Sequence, residues 1–399
     1  MLKIILLSTA LLLPCLGFSK TLDITIVSSG VENTSDSGKS FAGITVMPQR
    51  PVQRAVELAL YESSTLFQTL GIQSSIHRLE LDPEKTIVDQ LASARPGSLF
   101  ILDLPLDIME PVARATDELG LIAVNVRHSD AHLRETLCLP GFFHTIPSDR
   151  MYFDALGQFL IYRGWRRVLV VKGPSARDTT RAQALTQSLE RLGANIVDIR
   201  TFTLSHHPDD RDENKPEFIT GGASYDVVAV IDSAKDYGRY LQYSTRSARP
   251  VVGDVGLTPT SWHYALERYG APQLNERYRT FKVDMQTNRQ TDSRVSMTDA
   301  EFAAWSAVKL VTNSINSRQS DTALDLMAIL QDPASQVDLY KGTRGSVRHW
   351  NNQLRQPILL STMDAVIAVA PMPKFLHPKH YVDTLGIDEP ESECRLRRP

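Results

Sequence analysis

Short apolar runs alternate along this chain with segments whose apolar positions recur every three or four residues. Residues 22–27 (LDITIV) read as a strand that ends in Ser28, Ser29 and Gly30. From 51 to 70, Val52, Ala55, Val56, Leu58, Ala59, Leu66 and Phe67 hold helical spacing, and Gly71 supplies the stop. A strand over 72–79, a helix over about 83–94, a strand over 98–102, a helix over 106–119 and a strand over 121–126 complete the first series. A second series opens near Pro147, where Ser148 or Asp149 caps a helix reaching about 163; Gly164 ends it and the strand 167–171 follows. Helix 176–192 stops at Gly193, strands 195–202 and 226–231 come next, and a helix over 234–245 precedes a strand at 250–252. Alternation of apolar strands with amphipathic helices predicts parallel sheets covered on both faces. The expected class is therefore α/β, with two doubly wound lobes in tandem. Later, Phe302, Trp305, Val308 and Val311 recur at intervals of three in the helix 299–315, a core-facing stripe that returns the chain to the first lobe.

The amino terminus changes the picture. Lys3 precedes an apolar run over 4–13, and Gly17 and Ser19 have the small-residue spacing of a secretory cleavage site, so cleavage is expected after Ser19 and the mature chain in the periplasm. That run falls well short of the roughly 20 residues a membrane-spanning helix needs. Pro14 before Cys15 stands where a lipid-modification site takes Gly, Ala or Ser. Cleavage leaves Cys138 and Cys394, an even pair in an exported chain, and a disulfide between them is expected to tie the tail to the body. Two buried free thiols are the alternative. The tail near 388–394 (DEPESEC) carries little apolar surface with which to dock by itself.

Composition narrows the function classes. The 399 residues carry 43 basic and 46 acidic side chains, a net charge of −3, so nothing advertises a nucleic-acid partner. Gly (21) and Pro (22) are too few for a low-complexity chain, and the length suits two domains with cores of their own. Enzyme signatures are missing: there is no Gly-x-Ser-x-Gly elbow, no phosphate-cradling Gly-x-x-x-x-Gly-Lys loop and no His-Glu-x-x-His helix. His206 with His207, and His377 with His380, lack further ligands at metal-site spacing. Arg344 and Arg348 beside Trp350 offer an anion grip, although a strand edge explains the segment more simply.

Residues 143–149 (FHTIPSD), followed by a helix and then 164–168 (GWRRV), resemble the lobe-crossing stretch of type I periplasmic solute-binding proteins, the branched-chain amino acid receptor group of ABC importers. Residues 269–274 (YGAPQL), 299–308 (DAEFAAWSAV), 353–358 (QLRQPI), 375–378 (FLHP) and 383–392 (DTLGIDEPES) resemble the subfamily associated with PQQ-dependent alcohol dehydrogenase systems. The resemblance implies two Rossmann-like lobes joined by a three-segment hinge, a ligand held between them, an ABC permease as partner, and no enzymatic activity or cofactor of its own. The chain is expected to act as a monomer. Residues 20–146 plus about 257–330 would form lobe 1, 147–256 plus about 331–370 lobe 2, and 371–399 a tail. A periplasmic sensor or scaffold with the same fold stays open as an alternative.

In wound α/β sheets ligands lie at the carboxyl ends of the strands. In lobe 1 those loops are 28–32, 103–107 and 125–128, offering Ser28, Ser29, Asp103, Asp107, Asn125 and Arg127; Ser148 follows the first crossing. In lobe 2 they are 172–178, 232–236 and 254–256, offering Lys172, Asp178, Asp232 and Asp254. The competing account is that an Asp or Ser after a strand merely caps the next helix. Compared with amino acid receptors of the group, residues 102–107 (LDLPLD) lose an amide donor at Pro105 and add acids that repel a carboxylate. That argues against a branched-chain amino acid. It suits an amine-bearing or polyhydroxylated solute, or a hard cation or metal complex needed by the dehydrogenase, since such cations take several oxygen ligands.

Overall fold

The structure is a computed structural model that describes residues 20–29, 50–92, 97–205, 207, 212, 214–281, 296–315, 325–394 and 396. The expected leader over 1–19, the first loop beyond Ser29, and His206 lie outside the described residues.

Five strands, β1 (Lys20–Ser29), β2 (Ile72–Leu81), β3 (Leu99–Asp103), β4 (Ile122–Asn125) and β5 (Phe142–His144), form a parallel sheet in the order β2-β1-β3-β4-β5. Four more, β6 (Arg167–Lys172), β7 (Asn195–Thr201), β8 (Val227–Ile231) and β9 (Val251–Gly253), form a second parallel sheet in the order β7-β6-β8-β9. The winding is the same in both: the first strand of each sheet lies between the second and the third. Burial follows the two-residue period of a strand covered on both sides. Leu99 and Ile101 of β3 enter one apolar cluster while Phe100 and Leu102 enter another, and in β6 Val168 and Val170 face one way, Leu169 and Val171 the other.

The long helix Asp299–Ile315 packs Phe302, Trp305, Val308 and Val311 into the core shared with β1 and β3, as its stripe predicts. Between the two central cores the chain passes three times. Ile146 lies in the first and Met151 in the second; Leu257 lies in the second and Trp262 in the first; Leu354 lies in the first and Ile358 in the second. β10 (Thr258–Thr260), at the second passage, pairs antiparallel with β13 (Ile358–Ser361), at the third, and β13 pairs with β14 (Val366–Ala370). A short antiparallel pair, β11 (Val337–Asp338) and β12 (Arg344–Gly345), precedes the third passage and takes up Arg344.

Several expectations are corrected. The helix over 51–70 is two helices, Gln53–Glu62 and Ser64–Leu70, because Ser63 leaves helical geometry and its hydroxyl donates to Ala59 O (2.9 Å) and meets Thr312 (3.2 Å). The helix over 234–245 shrinks to Gly238–Leu241: Lys235 takes φ 52°, and Asp232 accepts the Gly238 N–H at 2.8 Å. The tail does dock. Val382 and Leu385 enter the second core, Gly386 N–H donates to Asp154 (2.8 Å), and Trp350 Nε1 donates to Ile387 O (3.1 Å). Arg348 is no open anion grip: buried among tail residues, it meets Asp383 at 2.9 Å and Leu385 O at 2.7 Å. Cys394 is disulfide-bonded to Cys138, with the Cα atoms 5.4 Å apart.

Candidate functional site

Strand register decides which candidate residues meet. Ser28 and Asp103 are partners across β1 and β3, Leu102 faces Asn125, and Asn125 faces His144, so the ends of four strands form one polar edge. Asp103 accepts the Val52 N–H (3.2 Å), at the amino end of helix Gln53–Glu62, and forms an ion pair with Arg127. Arg127 also donates to Arg50 O at 3.2 Å. Asn125 is fully buried and closes its own loop: Oδ1 accepts the N–H of Arg127 (3.1 Å) and of His128 (2.9 Å), while Nδ2 donates to His128 O (2.8 Å). Its side chain shapes the loop that presents Arg127. Asp107 is exposed and lines a groove of about 640 Å³ with Glu110, Arg114 and His132. There Glu110 pairs with Arg114 (2.7 Å) and His132 (2.9 Å).

The second sheet's edge is organised by a residue that strand-end reading misses. Arg181, on helix Ala176–Arg191, donates bidentately to Asp254 (2.6 and 2.9 Å), to Asp149 (3.2 Å) and to Ser233 Oγ (3.3 Å). Burial would raise the Asp254 carboxyl, but the guanidinium in contact holds it below the usual range. Asp149 shares the same guanidinium less closely, and burial leaves it raised. Asp254 Oδ2 also accepts the Asp232 N–H at 2.8 Å. Asp232 has no cation in contact among the described residues; burial, with Asp254, Asp178 and Asp236 nearby, pushes its carboxyl up to about 6. Asp178 accepts from Ser175 Oγ (2.7 Å) and from the Ser233 N–H (2.9 Å). Lys172, half-buried, donates to Thr179 at 2.9 Å.

Ser148 caps the helix Asp149–Arg163, its hydroxyl accepting the Met151 N–H at 3.1 Å, as the capping alternative holds. The acids at the strand ends are thus largely occupied. Asp103 and Asp254 hold guanidinium groups, while Asp178 and Asp232 hold loop N–H groups. Among the described residues no group of three or more His, Cys, Asp or Glu side chains is arranged to hold a metal ion. His377 pairs with Asp388 at 3.2 Å. The edges carry hydroxyls, amides and the half-buried cations Arg127 and Lys172.

The chain matches no family model and no curated protein. Among solved structures it is similar to a branched-chain amino acid ABC transporter periplasmic ligand-binding protein from Burkholderia xenovorans, with a TM-score of 0.67 and 12% identity over 94% of this chain and 99% of that one. A solute-binding protein of an ABC transporter from R. palustris, in complex with benzoate, gives 0.60 and 12% over 94% and 100%. The closed leucine-, isoleucine-, valine-, threonine- and alanine-binding protein from Brucella ovis gives 0.60 and 13% over 95% and 100%. The fold is that of the type I periplasmic binding proteins.

Proposed function

We propose that the chain is the periplasmic solute-binding component of an ABC transport system, capturing a small polar organic solute between two lobes that close about a hinge. The lobes would be 20–146 plus about 257–330 and 147–256 plus about 331–370, with 371–399 as tail. The observation that carries this reading is the triple passage of the chain between two cores, each built on a sheet of the same winding. A ligand touching both lobes binds the closed form better, and that difference in affinity is what shifts the population. Contacts would come from Ser28, Ser29 and Arg127 on one side and Lys172 and Asp232 on the other, with Asp103, Asn125, Asp178 and Asp254 holding the loops in shape.

An organic solute is favoured over a cation because two of the strand-end acids, Asp103 and Asp254, already neutralise Arg127 and Arg181. The link to PQQ-dependent alcohol oxidation rests on the resemblance of 269–274, 299–308, 353–358, 375–378 and 383–392, and makes alcohol-derived metabolites the first solutes to try. Native mass spectrometry of protein isolated from the periplasm, followed by thermal-shift screening with amino acids, aromatic acids, alcohol-derived metabolites and divalent metals, tests the proposal. One organic solute should co-purify and stabilise the protein, by about 2.7 kcal/mol at a concentration 100-fold over Kd. Stabilisation by metals alone, or solute binding without any dependence of uptake on the protein, would replace it with the metal or sensor reading.

A further inference from the structure

Lys341 is 3% exposed and sits in a turn between Tyr340 (φ 53°) and Gly342 (φ 81°). Its ammonium has three protons, and each has a neutral acceptor: Ser261 O at 3.0 Å, Gln356 Oε1 at 2.7 Å and Pro357 O at 2.8 Å. The Gln356 amide carries the link onward, Nε2 donating to Thr145 O at 2.7 Å. Thr145, Ser261 and the pair Gln356–Pro357 lie on the three separate segments by which the chain passes between its two cores. The face of Phe302, 4.9 Å away, covers the ammonium.

No carboxylate forms an ion pair with Lys341 among the described residues. Asp299, the acid that acts on it through space, is in contact with the Ser261 and Trp262 N–H groups (3.0 and 3.1 Å) and the Tyr152 hydroxyl (2.7 Å). Apolar side chains often replace buried ions without loss of stability, so a lone ammonium here is poorly explained as a stabilising device. What it supplies is a common tie between strands far apart in sequence.

We propose that Lys341 is the positioning residue of the hinge, its ammonium fastening the three crossing segments so that they bend as one unit. The proposal rests on the hinge-closure reading above. Burial brings the Lys341 ammonium down to about 7, with Asp299 opposing, so the fastening changes charge near neutral pH. The charged group acting on it is Asp299 on the long helix, and Asp299 is in turn felt by Tyr152 on helix Asp149–Arg163 and by His263 beyond the second passage. His144 and Arg355 flank the other two; burial keeps His144 neutral and Asp383 engages Arg355. All five persist in a Lys341→Met variant, so any pH response that variant keeps belongs to them.

The test uses the mature chain, free of solute and with its disulfide intact, spin-labelled at Glu84→Cys and Thr201→Cys on the exposed carboxyl sides of β2 and β7. Inter-label distance distributions are read by pulsed electron resonance at pH 6 and pH 8.5. The unmodified hinge should give a narrow distribution that shifts between the two pH values. Lys341→Met should broaden it about twofold and abolish the shift without lowering the thermal midpoint, while Lys341→Arg should restore the width but not the pH response. If Lys341→Met does not fold, Gln356→Leu, which cuts the tie to Thr145, should broaden the distribution in its place. A mobile hinge whose width and pH response survive Lys341→Met or, failing that, Gln356→Leu sinks the fastening role alone. A distribution no wider than the labels themselves, unmoved by any solute of the screen, would instead sink hinge closure.

Discussion

Arg348 and Lys341 are fully buried cations seven residues apart, and they are solvated in opposite ways. Arg348 meets a carboxylate, Asp383, which Arg355 also holds at 2.8 Å, and its Nη2 donates to two tail carbonyls, while its buried Nη1 has no hydrogen-bond partner among the described residues. Burial pulls the guanidinium down, yet the two arginines hold Asp383 below its usual range despite its own burial. Lys341 meets only neutral oxygens. A charge paired with its opposite resists being undone, because removing one partner strands the other. A charge held by carbonyls alone is lost by deprotonation without leaving an ion behind. The first arrangement suits a static anchor for the tail, and the second suits a joint.

The contrast breaks if the tail does not depend on its anchors. Converting both Cys138 and Cys394 to Ala should give the largest loss, about 5 kcal/mol, since the bridge closes a separation of 256 residues. Urea unfolding measures it. Arg348→Met should cost about 3 kcal/mol, because Asp383 keeps Arg355 but loses half its compensation. Both changes free the same segment, so their combination should fall short of the sum by at least 1 kcal/mol, whereas Lys341→Met should add to either within about 0.5 kcal/mol. Full additivity of Arg348→Met with the cysteine variants would mean that Arg348 does not hold the tail.

How much of this was legible depends on whether the cause was local. Buried parallel strands are nearly continuous apolar runs, which is why β1, β3, β6 and β8 fall where the runs at 22–27, 98–102, 167–171 and 226–231 stand. The break at Ser63 was not legible, since the hydroxyl contact that accompanies it is with Thr312, 249 residues away. The expectation for the tail covered 388–394, which is largely exposed apart from Cys394. Docking runs through 382–387, where Val382 and Leu385 enter the second core and Arg348 and Asp154 bind backbone groups, contacts too distant in sequence to be read from it. At the candidate site, strand ends marked Asp103, Asp232 and Asp254, but not what each acid touches. Arg181 reaches Asp254 from the middle of a helix, a pairing no spacing rule encodes. Lys341 carries no sequence signal at all, being one lysine in a polar turn.

Asp232 extends the comparison to an anion. Like Lys341 it is solvated by neutral groups, here the Gly238 N–H, whereas neighbouring Asp254 holds a guanidinium. With its carboxyl at about 6 against an ordinary 3.8, the folded protein binds the proton more tightly than the unfolded chain does. Stability therefore rises as pH falls from above 6 toward 4, and the penalty is fully present at pH 7.5. Asp232→Asn keeps an oxygen for Gly238 and should gain about 2 kcal/mol at pH 7.5 and almost nothing at pH 4. Equal effects at both pH values would show that the carboxylate is not penalised and would erase the difference from Asp254.

The smallest effect separates capping from ligand contact at Ser148. Its hydroxyl accepts the Met151 N–H, so Ser148→Ala should lose about 1 kcal/mol and Ser148→Asp, which caps equally well, should recover it. Urea midpoints read the difference. A solute found by mass spectrometry adds the second axis: if the hydroxyl only caps, both variants bind that solute as tightly as the unmodified protein. Should Ser148→Asp restore stability yet still lose affinity tenfold, Ser148 faces the solute as well as the helix. The first passage between the cores would then carry both a hinge bend and a ligand contact, and closure would be sensed where the chain bends.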